Sequence, residues 1–249
     1  ATLPVAGPMA GGSLLEVSGV DFRDHGTLLC RFGSRAAVTN ATLVSSSLMR
    51  CRTPPFTGPR LLSTVPADGQ HEWARVSLNG QQFLRSEADF VFFEQPLVHV
   101  SALVPQGGRI QGGTRVVVLG SMFADHAVHC RFGTELVEAK LLNGSALQCT
   151  APARLTPGAE AVEVTLNSDA AEHSLTSDGV AYHYYDASAV QATGVHPLGG
   201  PSGGGTLVTL TGTGFVDRGG VLCRFGGGAG GAAAATVLSE TSLLCESPP

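Results

Sequence analysis

The tetrapeptide Cys-Arg-Phe-Gly occurs three times in this chain of 249 residues, at 30–33, 130–133 and 223–226. A motif that returns at this interval marks a repeat of about 90–100 residues, large enough to bury a core of its own. Around each copy the apolar residues alternate. Leu28, Cys30 and Phe32 fall on one side of an extended segment and Arg31 on the other, and Val128, Cys130, Phe132 and Val221, Cys223, Phe225 repeat the pattern. Each copy reads as a half-buried β-strand. The chain then holds two full repeats and part of a third, with boundaries expected at 1–96, 97–187 and 188–249.

Laying the copies over one another extends the pattern. Pro4, Pro105 and Pro197 each stand 18 residues before Phe22, Phe123 and Phe215. Between them lie a glycine pair (Gly11-Gly12, Gly112-Gly113, Gly204-Gly205), an apolar alternation (Leu15/Val17, Val116/Val118, Val208/Leu210) and a single Gly19, Gly120 or Gly212. This is turn, strand, turn. A second cysteine follows at Cys51, Cys149 and Cys245, and a proline three residues later ends that strand, because proline cannot donate to a ladder. Two further strands, around Val76–Leu78 with Phe90–Phe92 and around Val162–Leu166 with Tyr182–Tyr184, have no counterpart in the third copy. That copy is expected to continue for some forty further residues, or to be completed by a neighbouring chain. Abundant glycine (33), few aromatics (6%) and few charges (14%) suit short strands and turns, so the expected class is all-β. The connections at Phe93–Pro96 and Tyr185–Ser188 are short, which limits bending and favours a semi-rigid rod.

With two cysteines per repeat, the simplest pairing is Cys30–Cys51, Cys130–Cys149 and Cys223–Cys245. Closing loops of about 20 residues contributes on the order of 3 kcal/mol each in the chain-entropy estimate and implies an oxidising compartment. Asn40-Ala41-Thr42 and Asn143-Gly144-Ser145 are glycosylation acceptors placed between the cysteines of their repeats. The net charge of −5 provides no footprint for nucleic acid, no apolar run is long enough to cross a membrane, and no membrane contact is expected within this segment. Starting without an initiator Met, the chain is expected to be a soluble piece of a longer protein.

Several motifs resemble chemistry without supporting it. Gly226–Gly231 fits a dinucleotide loop, yet Gly33-Ser34-Arg35-Ala36 and Gly133-Thr134-Glu135-Leu136 hold the same place in the other repeats. Gly200–Gly204 fits G-x-S-x-G but sits in the turn before a strand, not between a strand and a helix. His25 and His126 are replaced by Arg218 in the third copy, so a shared catalytic histidine is not supported, and both read as solvated loop residues. His126-x-x-His129 lacks counterparts and cysteine partners for zinc. Asp24, Asp125 and Asp217 recur after the phenylalanine. An Asx-turn explains them, and calcium, which needs six to eight oxygens, is the alternative left open there. No enzyme, cofactor or metal is indicated.

The ordered set Pro4, Gly11-Gly12, Gly19-x-x-Phe22, Cys30-x-Phe32-Gly33, Cys51-x-Thr53-Pro54-Pro55, Leu78-Asn79-Gly80 and Phe90-x-Phe92, given again in repeats two and three as far as each runs, resembles the IPT/TIG domain. Asn167-Ser168 departs from it by replacing Asn-Gly. The resemblance implies tandem immunoglobulin-like, early-set β-sandwiches of the kind used in plexin- and Met-type receptors and fibrocystin-like ciliary surface proteins. The cysteine pairs and acceptor asparagines suit that extracellular branch. The expected function is a non-enzymatic structural or adhesion segment of a larger cell-surface, ciliary-surface or fibre-forming glycoprotein, with other proteins or neighbouring copies as partners. The alternative is a ligand-binding segment of a plexin- or Met-like receptor ectodomain.

Overall fold

The alternation read at each Cys-Arg-Phe-Gly copy becomes burial in the computed structural model, which describes residues 2–33, 37–57, 69–84, 88–226 and 231–249. Cys30, Phe32, Cys130, Phe132 and Cys223 are buried. Arg31 turns outward and lays its guanidinium over the Phe83 ring, 4.0 Å from the centroid. The chain forms two compact units, 1–102 with 117–150 and 161–180, and 103–116 with 151–160 and 181–249.

In the first unit, repeat one runs β1 (Thr2–Leu3), β2 (Ala6–Pro8), β3 (Leu14–Ser18), β4 (Leu29–Phe32), β5 (Ala37–Ser45), β6 (Leu48–Arg52), β7 (Gln70–Ser77) and β8 (Asp89–Phe93). Their order is β1-β3-β6-β5-β4-β7-β8-β2, antiparallel except for β2 against β8. Strand β5 changes partner midway: Ala37–Asn40 pairs with β4, and the stretch from Ala41 pairs with β6. A strand that switches sheets turns one ladder into the two layers of a sandwich. The Cys30–Cys51 bond then ties β4 to β6 across the layers, with Cα atoms 6.4 Å apart. Leu15, Met49, Phe32, Phe90 and Phe92 fill the space between, and the Phe90 and Phe92 rings meet edge to face at 4.9 Å.

Repeat two comprises β9 (His99–Val104), β10 (Gly107–Arg109), β11 (Arg115–Ser121), β12 (His129–Phe132), β13 (Glu135–Asn143), β14 (Ala146–Thr150), β15 (Gly158–Thr165) and β16 (Ala181–Tyr185). Within the first unit, β12 lies between β13 and β15, and β13 passes from β12 to β14 at Ala139 as β5 does at Ala41. Cys130 and Cys149 are bonded across that switch, 6.4 Å between Cα atoms. The second unit contains β10 parallel to β16. It also holds repeat three, β17 (Gln191–His196), β18 (Leu207–Thr213), β19 (Leu222–Arg224), β20 (Ala232–Ser239) and β21 (Ser242–Glu246), in the order β17-β18-β21-β20-β19. The switch recurs in β20, and Cys223–Cys245 spans it with Cα atoms 6.3 Å apart.

The repeated glycines have a steric cause. A Cβ on Gly19 would strike the Phe22 ring, and one on Gly120 or Gly212 would stand 2.5 or 2.6 Å from Cζ of Phe123 or Phe215. Glycine three residues before the phenylalanine lets the ring fold back onto the strand. Gly11, Gly112 and Gly204 all have positive φ and press on the backbone around Pro54, Pro152 and Pro248, which couples the glycine pair to the proline after the second cysteine. Of the glycine run that imitates a dinucleotide loop, residues 227–230 lie outside the described residues, as do Ser34, Arg35 and Ala36.

Candidate functional site

The first compact unit brings residues from two repeats together around Asn167. Two residues beyond β15, this side chain is 0% exposed. Its Nδ2 donates to the Ala6 carbonyl (3.0 Å) and to Ser13 Oγ (3.4 Å), both in repeat one. Its Oδ1 accepts from Thr165 Oγ1 (2.8 Å) and the Asp169 N–H (3.3 Å). Both ends of the amide are thus satisfied, as a buried amide must be. Within repeat one the Ser13 hydroxyl is packed closely, since a Cβ on Gly7 would stand 2.8 Å from Ser13 Oγ and 2.9 Å from the Phe90 ring.

The chain then turns at Ser168, which has φ 59°. Asp169 accepts from the Ala171 N–H and Ser174 Oγ. This holds the short 3-10 turn Glu172–Ser174 and points His173 at Gly12, where an added Cβ would lie 3.4 Å from Nε2. Elsewhere in the same unit the Phe93 ring, at the end of β8, stacks on His126 with centroids 6.5 Å apart and planes 10° from parallel. His126 is therefore engaged with repeat one and not simply solvated, while His25 is exposed as expected.

On β15, Glu163 is only 5% exposed although it stands between the buried Val162 and Val164. Its carboxylate accepts from Thr176 Oγ1 and from the N–H groups of Gly179 (3.0 Å) and Asp178 (3.3 Å). Asp178 in turn accepts from the Val100 N–H at 2.7 Å and faces His99 Nδ1 at 3.0 Å. One buried carboxylate thereby pins the loop 176–179.

The six cysteines are paired within their repeats, and none among the described residues is free. Asn40 and Asn143 are both exposed, but not at equivalent places. Asn40 lies on the half of β5 that pairs with β4, whereas Asn143 ends the half of β13 that pairs with β14 and accepts from the Ser145 N–H at 2.8 Å. Asp24 and Asp217 form Asx-turns, accepting from the N–H of Gly26 and Gly219, each at 2.8 Å. Asp125 is on the corresponding exposed loop. Among the described residues no three His, Cys, Asp or Glu side chains converge as a metal set.

In the sequence, Asn167 stands out only as a departure from Asn-Gly, and Glu163 only as one residue inside the strand around Val162–Leu166. The substitution at the Asn-Gly position was the available signal for the first. For the second, no local signal marks a strand carboxylate that is buried by partners some 13 to 16 residues later.

A profile of the IPT/TIG domain matches residues 1–88, 98–184 and 191–249. Fibrocystin-L of Homo sapiens is 24% identical over 158 residues, covering 62% of this chain and 4% of the relative. Among solved structures, the full extracellular region of plexin A4, domains 1 to 10, aligns with a TM-score of 0.51 and 16% identity over 100% of this chain and 20% of that one, a likeness of fold alone. The chain spans a small fraction of the length of both. The profile covers all three repeats, and the layered strands with a switching member repeat with it: the chain belongs to the IPT/TIG domain family.

Proposed function

We propose that this is a non-enzymatic structural and adhesive segment, a semi-rigid rod of IPT/TIG repeats divided at 1–96, 97–187 and 188–249. It belongs to a larger cell-surface, ciliary-surface or fibre-forming glycoprotein. The chain is extracellular or at the cell surface, since internal disulfides persist in an oxidising compartment. The observation behind the structural role is the Asn167 amide on Ala6 and Ser13. A junction held by a buried, fully bonded side chain resists bending far more than a flexible linker does. The likeness to fibrocystin-L, a far longer protein, supports a place in a long surface molecule. Asn40 and Asn143 are its glycan acceptors. Its partners are other proteins, including neighbouring copies. Among the described residues no helix is long and apolar enough to cross a membrane.

Distance measurements between labels at Val44 and Lys140 test this reading. One narrow distance distribution is expected, broadened by Asn167→Ala. A broad distribution in the unaltered chain would remove the spacer role. The second reading, a ligand-binding segment of a plexin- or Met-like receptor ectodomain, is favoured by a cationic cleft in the second unit.

A further inference from the structure

In the second compact unit, β10 and β16 run parallel, with Gly107 opposite His183 and Arg109 opposite Tyr185. Alternation puts Gly107 and Arg109 on one side of the first strand and His183 and Tyr185 on one side of the second. The loop carrying Arg218 is anchored here by backbone. The Gln106 N–H donates to the Arg218 carbonyl at 2.6 Å, and the Gln106 carbonyl accepts from the His183 N–H at 2.9 Å. A Cβ on Gly107 would stand 2.5 Å from the His183 carbonyl oxygen and 3.2 Å from Cβ and Cγ of Arg218, so glycine lets the two strands and the Arg218 loop close up here. Arg109, His183 and Arg218 thereby gather around a cleft of about 590 Å³ that Tyr185 and Phe215 help to wall. None of the described residues lining it is acidic, although the chain as a whole carries −5. The neighbouring Asp217 caps the Gly219 N–H instead.

The repeats show that this polarity is specific to the place. By the shared register, Arg109, His183 and Tyr185 correspond to Pro8, Val91 and Phe93 of repeat one. Arg218 corresponds to His126, which in the first unit is stacked against Phe93. Where the first unit has apolar groups and a closed ring stack, the second has three cationic or titratable side chains around open space.

We propose that this cleft binds an acidic saccharide, the anionic group held by Arg218 and Arg109 and the sugar ring resting against the exposed ring of Tyr185. Guanidinium forks match the planar or tetrahedral oxygens of a carboxylate or sulfate, and the volume lies in the range of small-ligand sites. His183 adds a proton-linked contact. Burial, and then the charge of Arg218, hold its imidazole below the usual histidine range. Arg218 faces it from the loop, and Arg109 and Tyr185 from the two strands. An incoming anion offsets the arginine field, so binding draws a proton onto His183 and strengthens as pH falls.

The site is independent of the spacer role. Isothermal titration of the full chain with a glucuronate-containing disaccharide, unsulfated and sulfated, tests it and separates carboxylate from sulfate recognition. Saturable binding of at least one disaccharide is expected. Arg218→Ala should weaken it at least about tenfold with an unchanged thermal midpoint, because the loop is held by the Arg218 carbonyl. Proton uptake, seen as a dependence of the heat on buffer ionisation, should vanish in His183→Gln. Should Arg218→Ala lower the midpoint, the exposed Arg109→Ala has the same expected loss. Absence of saturation by either disaccharide at millimolar concentration, or undiminished binding by the folded arginine variants, would overturn the proposal.

Discussion

The side-chain amide of Asn167 in the second repeat donates to the carbonyl of Ala6 in the first, 3.0 Å away and 161 positions earlier in the chain. The bond is buried, so removing the donor leaves that carbonyl and Ser13 Oγ without it in a place water does not reach. Asn167→Ala should lower the midpoint of urea unfolding by an amount equivalent to about 1–3 kcal/mol. Asn167→Asp should cost more, because a carboxylate presents lone pairs to a carbonyl that needs a donor. Equal stability of wild type and Asn167→Ala would show that the amide contributes nothing to the junction.

The recurring Gly-x-x-Phe gives a second expectation. All three nearest atoms that a Cβ on Gly19 would meet belong to the Phe22 ring, so Gly19→Ala should overpack the strand at a cost of about 1–3 kcal/mol. Phe22→Leu, which shortens the opposing side chain, should make the same glycine change cheaper. A thermal double-mutant cycle reads the coupling, and strict additivity would mean that the ring moves aside freely.

These two sites mark how far the sequence is legible. The Gly-x-x-Phe spacing, the cysteine alternation and the strand-ending prolines are local periodicities, visible without coordinates, and they place β3, β4, β6, β7 and β8. The switching strand β5 escaped, because Ala-Val-Thr-Asn-Ala-Thr-Leu-Val-Ser serves two layers and its residues fall only partly in the core. Asn167 escaped for another reason: its partners are Ala6 and Ser13, and no local pattern encodes a contact across 161 positions. In the sequence, Arg218 is only the residue that takes the place of a histidine. Its role emerges when Arg109 and His183 are placed on adjacent strands.

Joining β4 to β6 across the layers, Cys30–Cys51 closes a loop with a sequence separation of 21. Replacing both cysteines by alanine should cost about 3 kcal/mol by release of unfolded-chain entropy, lowering the denaturation midpoint of repeat one. An unchanged midpoint would show that the packing of Phe32, Met49 and Phe90 suffices alone.

Glu163 is expected to act through the loop that it pins. Glu163→Ala strands the N–H groups of Asp178 and Gly179 together with the Thr176 hydroxyl. Amide exchange of residues 176–179 should quicken by at least about tenfold, because each lost charge-assisted bond is worth about 1.5–3 kcal/mol. The Val100 amide, which donates to Asp178, should lose protection with them. Exchange unchanged at Gly179 and Val100 would remove the carboxylate from this role.

The last expectation concerns acid. His183 has its imidazole pushed below the ordinary histidine value, chiefly by burial and then by Arg218. Between the lowered folded value and the ordinary unfolded one, the unfolded chain binds the extra proton. Stability attributable to this residue therefore rises as pH increases through that window and is lost as pH falls below the ordinary value. Solvent screens a side chain this open, so the effect on the whole chain is small and is best read as a difference. Thermal midpoints of wild type and His183→Gln should converge near pH 5 and separate toward pH 7.5 if the neutral imidazole packs well, whereas a constant offset across that range would mean that His183 titrates alike in both states. The same comparison with Arg218→Ala isolates the cause: removing the guanidinium should move the wild-type transition to higher pH while leaving the burial contribution in place.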